Sequence, residues 1–152
     1  MSRMDTEFDE LEQLITSEMK QIYTDAVIDH AMNPRNVGSI AGADGFASVT
    51  GPCGDNMEIW LKVKDGRVDS IAFWTDGCGT SIACGSMVTE LVKGKNIVWA
   101  LGINQSQVLE ALGGLPEDSL HCALLAANTL NAAIQDYLAL KKEPWKRAYR
   151  KR

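Results

Sequence analysis

No apolar run in this 152-residue chain approaches the ~18–20 residues that cross a membrane. The opening residues, Met1-Ser2-Arg3-Met4-Asp5-Thr6-Glu7, hold no apolar signal core. They are also acid-rich, where a mitochondrial transit peptide is Arg-rich and poor in acids. A cytoplasmic location is the expectation. Low-complexity segments, internal repeats and linkers are missing too, with four prolines and thirteen glycines at ordinary frequency. No pair of the four cysteines is spaced C-x-x-C, so zinc ribbons and thioredoxin-like motifs are not indicated. Structural disulfides are not expected in a reducing compartment. What the chain has is the balance of one globular domain, with 45% hydrophobic and 23% charged residues.

Positive charge is scarce outside one segment. Lys141, Lys142, Lys146, Arg147, Arg150, Lys151 and Arg152 stand there against Glu143 alone, which leaves 8 basic and 19 acidic residues, a net −11, over residues 1–140. Nucleic-acid binding rests on a basic face that neutralises phosphates, so an acidic body argues against it. The basic tail reads as a solvated helix end that complements the helix dipole, with docking on an acidic partner as the alternative.

Residues 5–32 carry Phe8, Leu11, Leu14, Ile15, Ile22, Val27 and Ile28 at the spacing of an amphipathic helix, with a break expected near Ser17. Asn33-Pro34 ends it, because proline disfavours helix in the residue before it. After a loop rich in glycine and small residues come three strand candidates: 46–50, 56–63 with Met57, Ile59, Leu61 and Val63 on one face, and 68–74. Asp65-Gly66 predicts a hairpin turn between the last two. Helical spacing returns over 80–93, with Gly94 as its stop. A short helix is expected over 96–101, and Ser106 as N-cap of a helix over 107–112. Residues 120–140, rich in Ala and Leu, predict one long helix. The expected fold class is α+β, a three-stranded antiparallel sheet with packed helices.

Three cysteines sit in loop-like sequence. Cys53 lies in Gly51-Pro52-Cys53-Gly54-Asp55, just before the second strand. Cys78 lies in Asp76-Gly77-Cys78-Gly79, after the third strand and opening a helix, and Cys122 follows His121 at the start of the long helix. Strands two and three are hairpin partners, so Cys53 and Cys78 share one end of the sheet. A helix starting near Ser119 can bring His121 and Cys122 to that end. Thiolates select zinc or iron–sulfur clusters, and a carboxylate or imidazole, Asp55 or His121, can complete a fourth position. Flanking glycines let the backbone approach a bulky group, and a helix N-terminus favours the Cys78 thiolate. The blander readings are a buried small apolar residue for a lone cysteine, a turn former for Asp55 and a partly exposed helix residue for His121. Cys84 stands in line with Val88 and Leu91 and reads as a packed core residue, with a spare thiol near the site as the alternative. His30, at the end of the first helix, reads as structural, the helix C-terminus favouring its charged form.

These motifs, taken in order, resemble a known family. Tyr23-Thr24-Asp25-Ala26-Val27-Ile28-Asp29-His30, Asn33-Pro34-Arg35-Asn36-Val37-Gly38, Cys53-Gly54-Asp55, Gly77-Cys78-Gly79 with Ile82-Ala83 and Val88-Thr89-Glu90, Val92-Lys93-Gly94-Lys95 and His121-Cys122 look like the U-type iron–sulfur cluster assembly scaffolds, the IscU/NifU N-terminal domain family. The resemblance covers the chain from about Tyr23 to Leu140 and implies an IscU/SufE-like fold. It implies a scaffold rather than an enzyme. A cysteine desulfurase delivers persulfide sulfur, an iron donor supplies iron, and a [2Fe–2S] cluster is built and passed to apo-proteins. By motif it makes Cys53, Cys78 and Cys122 ligands or sulfur acceptors, Asp55 or His121 the completing ligand, and zinc an occupant of the cluster-free form. It divides the chain into an N-terminal helical extension (1–22), the scaffold domain (23–140) and the basic tail (141–152). A homodimer is compatible with it.

The sequence departs from that family in places. The segment read by the dedicated Hsp70-type chaperone, Leu-Pro-Pro-Val-Lys in the family, is here Leu115-Pro116-Glu117-Asp118-Ser119, which argues against that partner. Cys84 replaces a small hydroxyl residue. The insert that marks the zinc-dependent sulfur-transfer branch, which accepts persulfide from a desulfurase, is not apparent, so that role stands second. A carrier of finished clusters is a further alternative. A metal hydrolase is weakest, because no general base is evident near the cysteine loops.

Overall fold

The first break in the chain is set by one threonine. In the computed structural model, which describes residues 3–149, α1 (Arg3–Ile22) ends before Tyr23 and α2 (Asp25–Met32) starts behind Thr24. Thr24 is extended (φ −68°, ψ 161°) and its Oγ1 accepts the Val27 N–H at 3.2 Å, an N-cap bond worth about 1 kcal/mol. The same hydroxyl donates to the Leu112 carbonyl. The break expected near Ser17 is therefore corrected. Ser17 lies inside α1, and the chain turns where a cap and a long-range hydrogen bond coincide.

Strands β1 (Gly45–Thr50), β2 (Asn56–Lys64) and β3 (Arg67–Thr75) pair antiparallel in the order β1-β2-β3. Ile59 lies opposite both Ala47 and Phe73. Asp65 and Gly66 are both left-handed (φ 54° and 74°), the turn geometry whose twist matches that of the strands. Met57, Ile59 and Leu61 alternate inward and are fully buried, as expected. Val63 is only half-buried, because the register shifts between Lys62 and Val63. Lys62 opposes Ser70 while Val63 opposes Val68, which leaves Asp69 as the extra residue of a bulge. The bulge explains how Val68 and Ile71, three positions apart, both reach the core.

Helix α3 (Gly79–Val92) covers the inner face of the sheet. After the short α4 (Ile97–Leu101) and α5 (Gln105–Leu112), the long α6 (Leu120–Lys142) covers the rest. A Cβ at Gly85 of α3 would stand 2.4 Å from the Phe73 ring, so the ring lies directly on helix backbone. Glycine inside a helix costs about 1 kcal/mol relative to alanine. Burying Phe73 contributes roughly 1.5–3 kcal/mol, so the packing wins. Cys84, beside Gly85, is fully buried in the same core. The cap expected at Ser106 is corrected. Asn104 caps α5 through a reciprocal pair with Gln107, at 3.1 and 2.9 Å, which satisfies two backbone N–H groups and starts the helix earlier.

Asn33 ends α2 before Pro34, and the residues after it strap α2 to α3 and β3. The Arg35 N–H donates to Ser86 Oγ at 2.9 Å, while the guanidinium pairs with Asp29 at 2.6 Å. Asn36, left-handed at φ 61°, donates to Thr89 Oγ1 and Glu90 Oε1, and its carbonyl accepts the Phe73 N–H. His30 is buried under this strap with Nδ1 2.7 Å from Ser86 Oγ. Its structural role agrees with expectation, but its charge does not. Burial first, then the Arg35 charge, lower its pKa below the ordinary 6.5 against the opposing pull of Asp29 and Glu90. Local burial thus outweighs the helix end.

Helix α6 runs to Lys142 and is followed by a 3₁₀ turn over Pro144–Tyr149, where Lys146 pairs with Glu143. Arg150, Lys151 and Arg152 of the basic tail lie outside the described residues. No helix among the described residues is long and apolar enough to cross a membrane.

Candidate metal centre

The start of β2 and the end of β3 are latched together. Asp76 accepts the Asn56 N–H at 2.8 Å and the Asn56 side-chain amide at 2.9 Å, and the Thr75 hydroxyl donates to the Asn56 carbonyl at 2.7 Å. The backbone hydrogen bond from Asn56, and then its side chain, hold the Asp76 carboxyl below its ordinary value. The 51–55 loop closes on itself through the Gly51 N–H to the Asp55 carbonyl at 2.7 Å. This latch fixes Asp55 beside the Gly77-Cys78 turn. Gly77 is required there. A Cβ on it would fall 2.5 Å from Ser81 Oγ and 2.9 Å from Asp55 Oδ2.

Cys78 caps the N-terminus of α3 in extended conformation (φ −78°, ψ −177°). Cys122 sits in the first turn of α6 and is buried. A carboxylate oxygen of Asp55, Cys78 Sγ and Cys122 Sγ lie within 4.8 Å of one another. Around a tetrahedral zinc, donors stand roughly 3.5–4 Å apart, given Zn–S near 2.3 Å and Zn–O near 2.0–2.2 Å. A contraction of about 1 Å would therefore seat an ion among these three donors. Their chemistry suits thiophilic metals, with one harder oxygen in place of a third sulfur.

Of the five residues the sequence puts forward, the structure gathers Asp55, Cys78 and Cys122. His121 Nε2 reaches Cys122 Sγ at 3.6 Å but stands outside that group. Cys53 is exposed on the loop two residues before Asp55, also outside the group. The two gathered thiols differ in acidity. Burial pushes the Cys78 thiol up, but hydrogen bonds from the Thr80 hydroxyl, the Ser81 and Thr80 N–H groups and the Ser81 hydroxyl outweigh it, and the thiol lies below its ordinary value. Burial dominates at Cys122 and raises it despite hydrogen bonds from Ser81 and Thr80, with the charges of Cys78 and Asp55 adding to the rise. Cys84 is raised far more, by burial and then by Cys122 and Cys78. It is an inert core thiol.

Sequence reasoning missed two residues. Thr80 Oγ1 lies 2.9 Å from Cys78 Sγ and 3.5 Å from Cys122 Sγ. Ser81 Oγ lies 3.1 Å from Asp55 Oδ2 and 3.5 Å from Cys122 Sγ. The available signal was a pair of adjacent hydroxyls in the first turn of a helix, directly after Cys78-Gly79.

Fold and site together define a small α+β domain with two thiols and a carboxylate gathered at one end of its sheet, a donor set that could hold a metal ion. A model of the NifU-like N terminal domain matches residues 22–144. The iron-sulfur cluster assembly scaffold protein IscU 1 of Archaeoglobus fulgidus is 54% identical over 117 residues, covering 76% of each chain. The scaffold protein IscU of Escherichia coli K12 is 45% identical over 120 residues, 76% of this chain and 93% of that one. The crystal structure of a nitrogen-fixing NifU-like protein (N-terminal) from Brucella abortus shares the fold, with a TM-score of 0.61 and 21% identity over 80% of this chain and 97% of that one. The chain belongs to the NifU-like N-terminal domain family.

Proposed function

We propose that this protein is a scaffold on which an iron–sulfur cluster is assembled and from which it is released, rather than an enzyme. The observation that carries the reading is the convergence of Asp55, Cys78 and Cys122 within 4.8 Å in a chain whose relatives are named as such scaffolds. The cargo we assign is a [2Fe–2S] cluster. Its sulfur comes as persulfide from a cysteine desulfurase, its iron from a donor, and its acceptors are apo-proteins. Cys53, Cys78 and Cys122 ligate it or accept sulfur, and Asp55 or His121 completes the set. Zinc is the occupant proposed for the cluster-free form.

The acidity pattern supports a division of labour. Cys78, favoured as thiolate, is the thiol suited to attack the outer sulfur of a donor's persulfide and take it over as its own, leaving the donor as thiolate. Asp55 supplies the donor that lets go, since a carboxylate holds thiophilic metals less firmly than thiolate does. The four free thiols fit a reducing, cytoplasmic setting. The scaffold unit is assigned to 23–140, with 1–22 and the basic tail of 141–152 as appended segments.

Anaerobic reconstitution with iron, cysteine and a desulfurase, followed by visible absorption and Mössbauer spectroscopy, tests the reading. A [2Fe–2S] signature that passes to an apo-acceptor is expected. Stoichiometric zinc that resists replacement by a cluster would overturn it in favour of zinc-dependent sulfur transfer.

A further inference from the structure

Ser81 is fully buried in the first turn of α3. Its Oγ stands 3.1 Å from Asp55 Oδ2, 3.5 Å from Cys122 Sγ and 3.9 Å from Cys78 Sγ. It thus reaches all three of the gathered side chains. A hydroxyl carries one proton, so it donates to one of them at a time. The carboxylate oxygen is both the nearest and the strongest acceptor. Gly77 lies against this pair, since any side chain there would strike both Ser81 Oγ and Asp55 Oδ2. Thr80 serves the sulfurs, nearest to Cys78, which leaves Ser81 as the hydroxyl given to Asp55.

We infer that Ser81 is a positioning residue that acts through Asp55: its hydroxyl holds Oδ2, so that the carboxylate offers its other oxygen to the metal as a single, oriented donor. The inference rests on the reading that Asp55, Cys78 and Cys122 hold metal. Partners that orient a ligand in this way change metal affinity by ~10–100-fold when removed.

The test uses the full chain and zinc alone, with affinity read by competition against a chromophoric chelator. Ser81→Ala should weaken zinc binding ~10–100-fold. In an Asp55→Ala background the same change should add nothing, because the two act as one unit. Ser81→Thr, which keeps the hydroxyl, should restore most of the affinity. With cobalt(II) as a probe, the thiolate charge-transfer bands of Ser81→Ala should persist, since the sulfurs still bind. Gly77→Ala serves as a second variant outside α3. It crowds the same hydrogen bond from the other side and should also weaken zinc binding. Parent-like zinc affinity in Ser81→Ala, or an equal loss with and without Asp55, overturns the inference while leaving the metal reading intact. A parent chain that takes up neither zinc nor cluster overturns the metal reading, and this inference with it.

Discussion

The cysteine end of the sheet and helix α1 are opposites in how they treat side chains. At the cysteine end polar groups are buried and paired: Thr80 and Ser81 are 6% and 0% exposed, and both bond to the gathered donors. Along α1 apolar groups are left in the open: Phe8, Leu11, Leu14, Ile15 and Ile22 are 50–69% exposed. Both segments have a clear periodic signal in the sequence. The difference is that α3 has a sheet and α6 to pack against, while α1 meets the body chiefly through α2. An apolar stripe establishes that a helix has a sticky face, but not that this chain supplies the cover. The two regions do meet at one place, a groove of about 140 Å³ that runs from Met19 and Tyr23 past Ile28 to Cys78.

If the chemistry lives only at the cysteine end, the largest effects should come from its thiols. Cys53→Ser, Cys78→Ser and Cys122→Ser should each abolish stable cluster after reconstitution, read by visible absorption. Cys84→Ser should still assemble cluster, at a stability loss of ~1–3 kcal/mol from burying a hydroxyl in apolar surroundings. A folded Cys84→Ser chain without cluster, alongside a dispensable member of the other three, would break the assignment.

Next in size, Asp55→Ala should hold its cluster longer and hand it to an apo-acceptor several-fold more slowly at equal loading. Equal transfer rates would remove the oxygen donor from the release step.

Gly85→Ala sharpens the contrast from the packing side. Its Cβ would meet the Phe73 ring at 2.4 Å. Overpacking of that kind costs typically ~1–3 kcal/mol, which exceeds the gain of about 1 kcal/mol from a better helix former. Denaturant unfolding should record a net loss, with zinc affinity unchanged.

His30 gives a smaller effect with a definite sign. Its folded-state pKa is lowered, while the unfolded value is about 6.5. Below about pH 6.5 the unfolded chain binds a proton that the folded chain resists, so stability is full above that pH and declines as pH falls through it. His30→Gln should flatten this slope in urea titrations between pH 7 and 5. The Asp29 carboxyl, lowered chiefly by the hydrogen bond from Arg35, acts in a separate, more acidic window below its ordinary 3.8.

The smallest effects belong to the appended segments. A chain lacking residues 1–18 should keep its zinc affinity and unfolding midpoint, because the stripe it loses covers little of the body. A chain ending at Leu140 should also keep metal binding. It should bind a desulfurase more weakly at low ionic strength only, since attraction between the basic tail and an acidic patch is screened by salt. Calorimetric titration at two salt concentrations checks it, and unchanged low-salt affinity would leave the tail as a solvated helix end.

Much of this architecture was legible without coordinates. The alternation of Met57, Ile59 and Leu61, the Asp65-Gly66 turn, the glycines around Cys53 and Cys78, and the Ala- and Leu-rich run of α6 are all local signals. Each is carried by residues within a few positions of one another, where intrinsic preference and period operate. They determined the sheet, the long helix and the clustering of cysteines at one end. The tertiary structure decided the rest. Thr24 ends α1 because its hydroxyl reaches Leu112, 88 residues away. Asn104 displaces Ser106 as a cap because Gln107 answers it. Ser81 looks like any hydroxyl at a helix start until folding brings in Asp55 from 26 residues before it and Cys122 from 41 after it. A side chain's own preferences do not encode such contacts. They exist only once the latch between Asn56 and Asp76, and the packing of α3 and α6 on the sheet, have brought three distant stretches of chain within hydrogen-bonding distance.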